Sequence, residues 1–291
     1  MRKSIHEIIL DGFDLRTELQ RIDNLFFDRD TIPTEPLPEA EMCTMYRFAK
    51  VYFNKWPFTG TCIDLEEYVS KLNEDEHYKL NFDFSSVYFE DAEMMEIAFG
   101  NTEFYYNMYK FIENILNNDA DFQLTIQRAN LSLFYKMGDV LNVIINHIYA
   151  KPIELETLKY ILIPNNEEAI AVAECVENLE TSKIILKYNH FKTKGDLQAK
   201  KSILRHLFTD IEKEGARSAA MKDFCCILNK ADIRHNNTGK NGKSITTGMT
   251  DEQIEEVYDV AYRLYLMAKL DEEYEDMLKD KVKEYKSRID E

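Results

Sequence analysis

The sequence predicts an all-α fold, a multi-helix bundle with at most a minor β or extended element near residues 78–90. Three observations carry that expectation. Only 9 Gly and 6 Pro occur in 291 residues, too few for the turn density of a β architecture. Apolar residues recur at three- and four-residue spacing along most of the chain. Helix-start signatures precede several of these runs.

In chain order, Ile5, Ile8, Leu15, Leu19 and Ile22 place a helix over residues 4–27, with a break at Asp11 and Gly12. Residues 31–38 contain Pro33, Pro36 and Pro38, so they read as an extended connector that helix cannot cross. A helix follows over 39–55 and ends before Trp56 and Pro57. Asp64 with Glu67 makes a capping-box-like start for a helix over 65–72. Leu80, Phe82 and Phe84 alternate with polar residues and supply the β candidate. Helical periodicity resumes over 90–99 and again over 102–116, with a stop at 117–120. Three further helices read at 122–135, 139–149 and 152–163, the first two separated by Gly138. Asn166 caps the next helix, whose face of Ile170, Val172, Ala173, Val176 and Leu179 leads to the apolar run 184–186. Leu197, Leu204, Leu207, Phe208 and Ile211 define one amphipathic helix. Ala220, Met221, Phe224, Ile227, Leu228 and Ala231 define another. Thr250 and Gln253 form a capping box for a long last helix, whose tail beyond Leu270 reads as a charged, solvated extension. A domain boundary falls at Pro164-Asn-Asn166 or near Lys151 and Pro152. The first is preferred, and it divides the chain into a helical N-terminal domain, 1–165, and a C-terminal helical domain, 166–291.

The net charge of −17 argues against a protein that coats nucleic acid non-specifically, because the whole chain repels phosphate. No run of 18 apolar residues exists, and Met1-Arg-Lys-Ser-Ile-His-Glu turns charged again too soon for a signal peptide. Cys43, Cys62, Cys175, Cys225 and Cys226 are odd in number and lack a Cys-x-x-Cys pairing, which points away from zinc and disulfides and towards a reducing cytoplasm. Cys225 and Cys226 read as buried thiols inside a helix. No metal and no cofactor is expected.

One window departs from this acidity. Between Phe191 and Lys243 stand nine Lys and three Arg against six acids. The window is therefore +6, and the remainder must carry −23 to give the chain's −17. A polyanion would be steered here, with Lys200, Lys201, Arg205, Lys240 and Lys243 as candidate RNA contacts; the plainer reading is that these cations line solvated helix faces. The window ends in a loop with acid–base groups. His235 titrates near neutral pH, Lys230 and Arg234 can stabilise charge on a phosphate oxygen, and Asn236 and Asn237 can orient a substrate through hydrogen bonds. Together these can cleave RNA without metal: a base removes the ribose 2′-hydroxyl proton, and that oxygen attacks the adjacent phosphorus. Ordinary helix punctuation is the competing account, since Asn-Asn-Thr-Gly is turn chemistry and a His suits a helix's last turn. Asn237 to Ser244 resembles a phosphate-binding Walker loop, but it lacks the first Gly and follows a helix instead of a strand. His206, beside Arg205, is a further candidate for the same groove. His6, His77, His147 and His190 have no partner set at metal-ligand spacing, and packing explains the Trp56 to Gly60 loop as well as ligand contact does.

Residues 186–270 resemble a HEPN domain of prokaryotic abortive-infection and toxin proteins. The resemblance rests on Lys230-Ala-Asp-Ile-Arg-His235, which has the family's spacing of a cation, four residues and a His between an amphipathic helix and a long final one. It rests also on the Asn236 and Asn237 that follow. Lys230 stands where the family has Arg, and Ala231 where a polar residue is usual. The resemblance implies a helical bundle, a metal-independent ribonuclease or toxin effector of a phage-defence system, catalysis by His235, Lys230 and Arg234, and a homodimer or larger oligomer. A non-catalytic helical module that binds RNA or a partner subunit is the alternative. An acidic inhibitory or immunity protein, its −23 remainder mimicking nucleic acid, is a second.

Overall fold

The computed structural model describes residues 13–34, 41–57, 60–74, 80–82, 91–120, 122, 130–214, 218–231, 233, 244–273, 279 and 282. The chain divides into two compact units, Met1–Asn165 and Asn166–Glu291. Both are predominantly helical, and two small antiparallel sheets lie in the first.

In the first unit α1 (Leu15–Asp23) starts at Asp14, whose carboxylate accepts from the Arg16 amide at 3.2 Å. It runs into a π-helical turn, Asn24–Asp28. Strand β1 (Asp30–Pro33) pairs with β2 (Met42–Thr44), Ile32 opposite Cys43 and Pro33 opposite Met42. Thr44 caps α2 (Met45–Tyr52) through the Arg47 amide at 3.1 Å. Then come α3 (Leu65–Glu74), α4 (Asp91–Asn118), α5 (Ser132–His147) and the hairpin of β3 (Ala150–Glu156) and β4 (Lys159–Pro164).

Helix α4 is the spine of this unit. Phe104, Tyr105, Met108, Phe111 and Ile112 are buried along it. Tyr105 donates a hydrogen bond to the buried Asp23, and Phe26, Phe82 and Phe104 pack edge-on around the same ring. A row of polar side chains on α4 reaches neighbouring backbone. Asn101 accepts from the Asn81 amide at 3.0 Å, Glu103 accepts from the Leu162 amide at 2.7 Å, and Asn107 both accepts from the Tyr160 amide at 2.8 Å and donates to its carbonyl at 2.9 Å. The outer edge of β4 is thereby satisfied by a helix instead of a third strand.

Several sequence expectations need correction. Residues 152–163 are the β3–β4 hairpin, not a helix. Ile153 pairs with Ile161 and Lys151 with Ile163, Pro152 sits opposite Leu162, and Leu158 turns the chain at φ 62°. The helix expected from 39 starts at Met45, because residues 42–44 pair as a strand. The runs 90–99 and 102–116 are one 28-residue helix through Gly100. Gly138 breaks nothing; it lies inside α5, where an added Cβ would stand 2.7 Å from the Tyr109 hydroxyl. Of the β candidate at 78–90, residues 80–82 are described and irregular, and the rest lies outside the described residues. Trp56 is buried in packing, its Nε1 donating to the Leu158 carbonyl at 3.2 Å.

The second unit comprises α6 (Glu167–Cys175), α7 (Leu179–Tyr188), α8 (Leu197–Glu214), α9 (Ala219–Lys230) and α10 (Asp251–Glu273). Asn166, Asn178 and Ser218 cap α6, α7 and α9 with their side chains, and Asp196 accepts from the Ala199 amide at the start of α8. The core holds Ile185, Leu204, Leu207, Phe224, Leu228 and Tyr265. Cys225 is half-buried and Cys226 exposed, against the expectation of two buried thiols, because the inner face of α9 is Met221, Phe224 and Leu228.

Two substitutions test the first unit. Gly138→Ala adds helix propensity worth about 1 kcal/mol but drives a methyl into a buried ring, and we expect a net loss of about 1 kcal/mol in chemical denaturation; a gain would show that the Tyr109 ring yields freely. Asn107→Ala leaves the Tyr160 amide and carbonyl without that partner and should cost about 2 kcal/mol.

Candidate functional site

The segment singled out by its chemistry is held at both ends by one carbonyl. Helix α9 ends at Lys230, and the next turn is pegged into the core: Ala231 is 2% exposed and Ile233 wholly buried. The Ala231 amide donates to the Ile227 carbonyl at 2.7 Å and the Ile233 amide to that of Leu228 at 3.1 Å. The chain returns at Ser244. There the Ser244 hydroxyl and the Ile245 amide both donate to the Lys230 carbonyl, at 3.1 and 2.9 Å. Ser244 also shares a hydrogen bond with Thr246 at 2.8 Å. Gly248 then takes φ +82°, and the Thr250 and Gln253 capping box opens α10, with bonds of 3.0 and 3.4 Å. The hydroxyl a Walker loop would give to a metal is thus engaged in closing the neck, and the helix starts seven residues later.

Of the predicted site residues, Lys230 is exposed at this neck. Arg234, His235, Asn236, Asn237, Lys240 and Lys243 lie outside the described residues. On α8, Lys201 is half-buried and Arg205 exposed, one turn apart on the same helix. Lys200 is turned inward. Its ammonium lies 2.8 Å from Glu255 and 2.6 Å from Asp259, and 5.1 Å from the centre of the Tyr188 ring. His206 is exposed on the same helix, and His190 is buried against Phe191. His147 stacks on Phe13 at 4.0 Å, and burial holds its pKa below the ordinary value. His6 and His77 lie outside the described residues.

Lys200 belongs to a network that sequence reasoning missed. The Tyr188 hydroxyl donates to Asp259 at 2.8 Å, and its ring stacks on Tyr262 at 3.9 Å. Tyr262 donates to the Ile185 carbonyl at 2.7 Å and accepts from Asn189, which in turn accepts from Asn166 at 3.0 Å. Burial first, and the Asp259 charge second, keep the Tyr188 phenol protonated far above its usual range. Glu255 shows the opposite balance: burial opposes its ionisation, but the Lys200 ammonium and the Gly195 amide outweigh that and lower its pKa. The available signal was the spacing of Glu255, Asp259 and Tyr262, which are i, i+4 and i+7 on one side of α10.

Among the described residues no group of three or more His, Cys, Asp or Glu could hold a metal ion, and no helix is long and apolar enough to cross a membrane. No protein-family model, no curated protein and no solved structure matches the chain.

Replacing Lys200 by Met strands two carboxylates. A fully buried pair broken in this way costs about 3–5 kcal/mol. Asp259 is 44% exposed, so we expect about 2 kcal/mol at neutral pH by chemical denaturation. Since the folded pKa of Glu255 lies below its ordinary 4.5, its contribution is present above pH 4.5 and lost as pH falls through the folded value. The gap between wild type and Lys200→Met should accordingly narrow below pH 4.5; a gap independent of pH would show that the ion pairs are not its source.

Proposed function

We propose that the second unit is a metal-independent endoribonuclease of HEPN-like type, acting as the toxin effector of a prokaryotic phage-defence system. The observation that supports this reading best is the clasp at the Lys230 carbonyl. It brings both ends of the segment that carries Arg234, His235, Asn236 and Asn237 to the exposed Lys230, so that the chain leaves and re-enters the described fold at one defined point. Tethering of this kind lowers the entropy of placing a base and cations around one phosphate.

In the proposed reaction His235 takes the ribose 2′-hydroxyl proton, and the 2′-oxygen attacks the adjacent phosphorus. Lys230 and Arg234 stabilise the developing charge, and Asn236 and Asn237 orient the phosphate and base. The 5′-oxygen leaves with a proton taken from water, His235 returns its own proton to solvent, and a 2′,3′-cyclic phosphate remains. Lys201, Arg205, Lys240 and Lys243 supply phosphate contacts along the strand. Lys200 has no part in binding, because Glu255 and Asp259 hold its ammonium.

A second reading is a non-catalytic helical module that binds RNA or a partner subunit. It is favoured by an apolar groove beside the neck, lined by Ile227, Ile245 and Met249. One experiment separates the two. Wild type and His235→Ala are expressed in bacterial cells, and growth and the integrity of tRNA and rRNA are followed. Loss of a general base should lower cleavage by about 10²–10⁴-fold, with cyclic-phosphate ends produced by wild type alone. Intact RNA and equal growth with both proteins would sink the ribonuclease reading, and salt-sensitive RNA binding without cleavage would favour the second.

A further inference from the structure

The groove beside the neck is mostly apolar, with two polar side chains from one turn of α10. Its volume is about 420 Å³, within the range of roughly 300–1,000 Å³ typical of small-ligand clefts. Ile227 of α9, Ile245 and Met249 of the returning segment, and Val257 of α10 supply the apolar lining. The groove begins at the candidate site itself. Ile227 lies one turn before Lys230 on α9, and the Ile245 amide donates to the Lys230 carbonyl at 2.9 Å. A phosphate contacted by Lys230 therefore has an apolar slot within one nucleotide's reach.

The two polar side chains decide which base fits the slot. Gln253 and Glu256 both line the groove, both are exposed, and they stand three residues apart on α10, so they are neighbours on the helix surface. The Gln253 carboxamide oxygen accepts from the Thr250 amide at 3.0 Å, which leaves its NH₂ group as the donor it presents. The Glu256 carboxylate only accepts. The complement is an edge with one acceptor beside two N–H groups that a single carboxylate takes together. Guanine has that edge: O6 accepts, and N1–H and the N2 amino group donate side by side. Adenine, cytosine and uracil each lack two donor atoms side by side. We propose that this groove is the subsite for an unstacked guanine of the RNA strand, with Glu256 its specificity-determining residue and Gln253 the second contact. The strand itself, with its phosphate at Lys230, is supplied by the ribonuclease reading, on which this inference rests. A base taken out of its strand is recognised in this way, its faces against side chains and its edge hydrogen-bonded.

Nucleotide binding and cleavage mapping on the full chain test it together. In NMR titrations guanosine 3′-monophosphate should bind wild type at least about tenfold more tightly than the adenosine or inosine 3′-monophosphates. Inosine differs from guanosine only in lacking the N2 amino group. Glu256→Gln should abolish that preference, and because Glu256 is exposed the fold should be unaffected. A merely structural role for Glu256 would weaken all three nucleotides alike and keep the preference. On single-stranded oligoribonucleotides wild type should cut on the 3′ side of guanosine, and Glu256→Gln should cut without regard to the base. Equal binding of the three nucleotides, binding of none, or a preference that survives Glu256→Gln would overturn the subsite. Cleavage that persists in any of these cases leaves the ribonuclease reading standing without it. Guanine-selective binding by a protein that leaves RNA intact would keep the subsite, as part of an RNA-binding module, and sink the cleavage instead.

Discussion

A lysine ammonium that is almost wholly removed from water must be compensated where it lies, and in the second unit that demand is made by Lys200. Its partners come from far along the chain, Glu255 and Asp259 on α10, and the same ammonium lies over the Tyr188 ring of α7. One cation therefore ties α8 to α10 and α7. The same carboxylates extend the constraint: Asp259 takes the Tyr188 hydroxyl, and Glu255 takes the Gly195 amide before α8. The desolvation penalty is offset only while every member stays in place, so the network specifies one arrangement of these helices more than it adds net stability. Helix α10 is held by it at the end that follows the loop neck.

The first unit meets an equivalent demand with neutral groups and one carboxylate. Strand β4 presents unpaired backbone on its outer edge, and α4 turns Glu103 and Asn107 towards it. Asn101, nearly two turns before Asn107, does the same for Asn81. Large aromatic rings fill the remaining space around Tyr105, and Gly138 lets α5 approach α4 where a methyl group would meet the Tyr109 ring. Polar side chains that look misplaced on a core helix are there because backbone must be satisfied.

Local signals in the sequence proved legible wherever the physics is local. Asn166 caps α6, Thr250 and Gln253 form a reciprocal box, and Asp64 accepts from the Glu67 amide. Each involves groups within three residues. The errors share one cause, that a distant element supplies what local propensity lacks. Residues 152–163 carry apolar side chains at spacings compatible with helix, but the pairing of Ile153 with Ile161 and the grip of α4 on β4 make them a hairpin. Gly138 reads as a stop because glycine weakens helix on average, and α5 runs through it because Tyr109 needs the space.

The candidate site divides along the same line. By itself the sequence determined a mainly helical chain, an acidic whole with one basic window, and a short run, Lys230 to Asn237, bearing the residue types of phosphate chemistry. These follow from composition and from spacing of a few residues, and they need no knowledge of distant contacts. Only the tertiary structure decided that Lys200 is an internal strut instead of a surface cation, and that Ser244 and Ile245 close the neck on the Lys230 carbonyl. The physical reason is that both depend on groups 14 to 59 residues apart. A backbone carbonyl as acceptor leaves no trace in side-chain pattern, and a lysine's charge is the same letter in the sequence whether water or two carboxylates surround it.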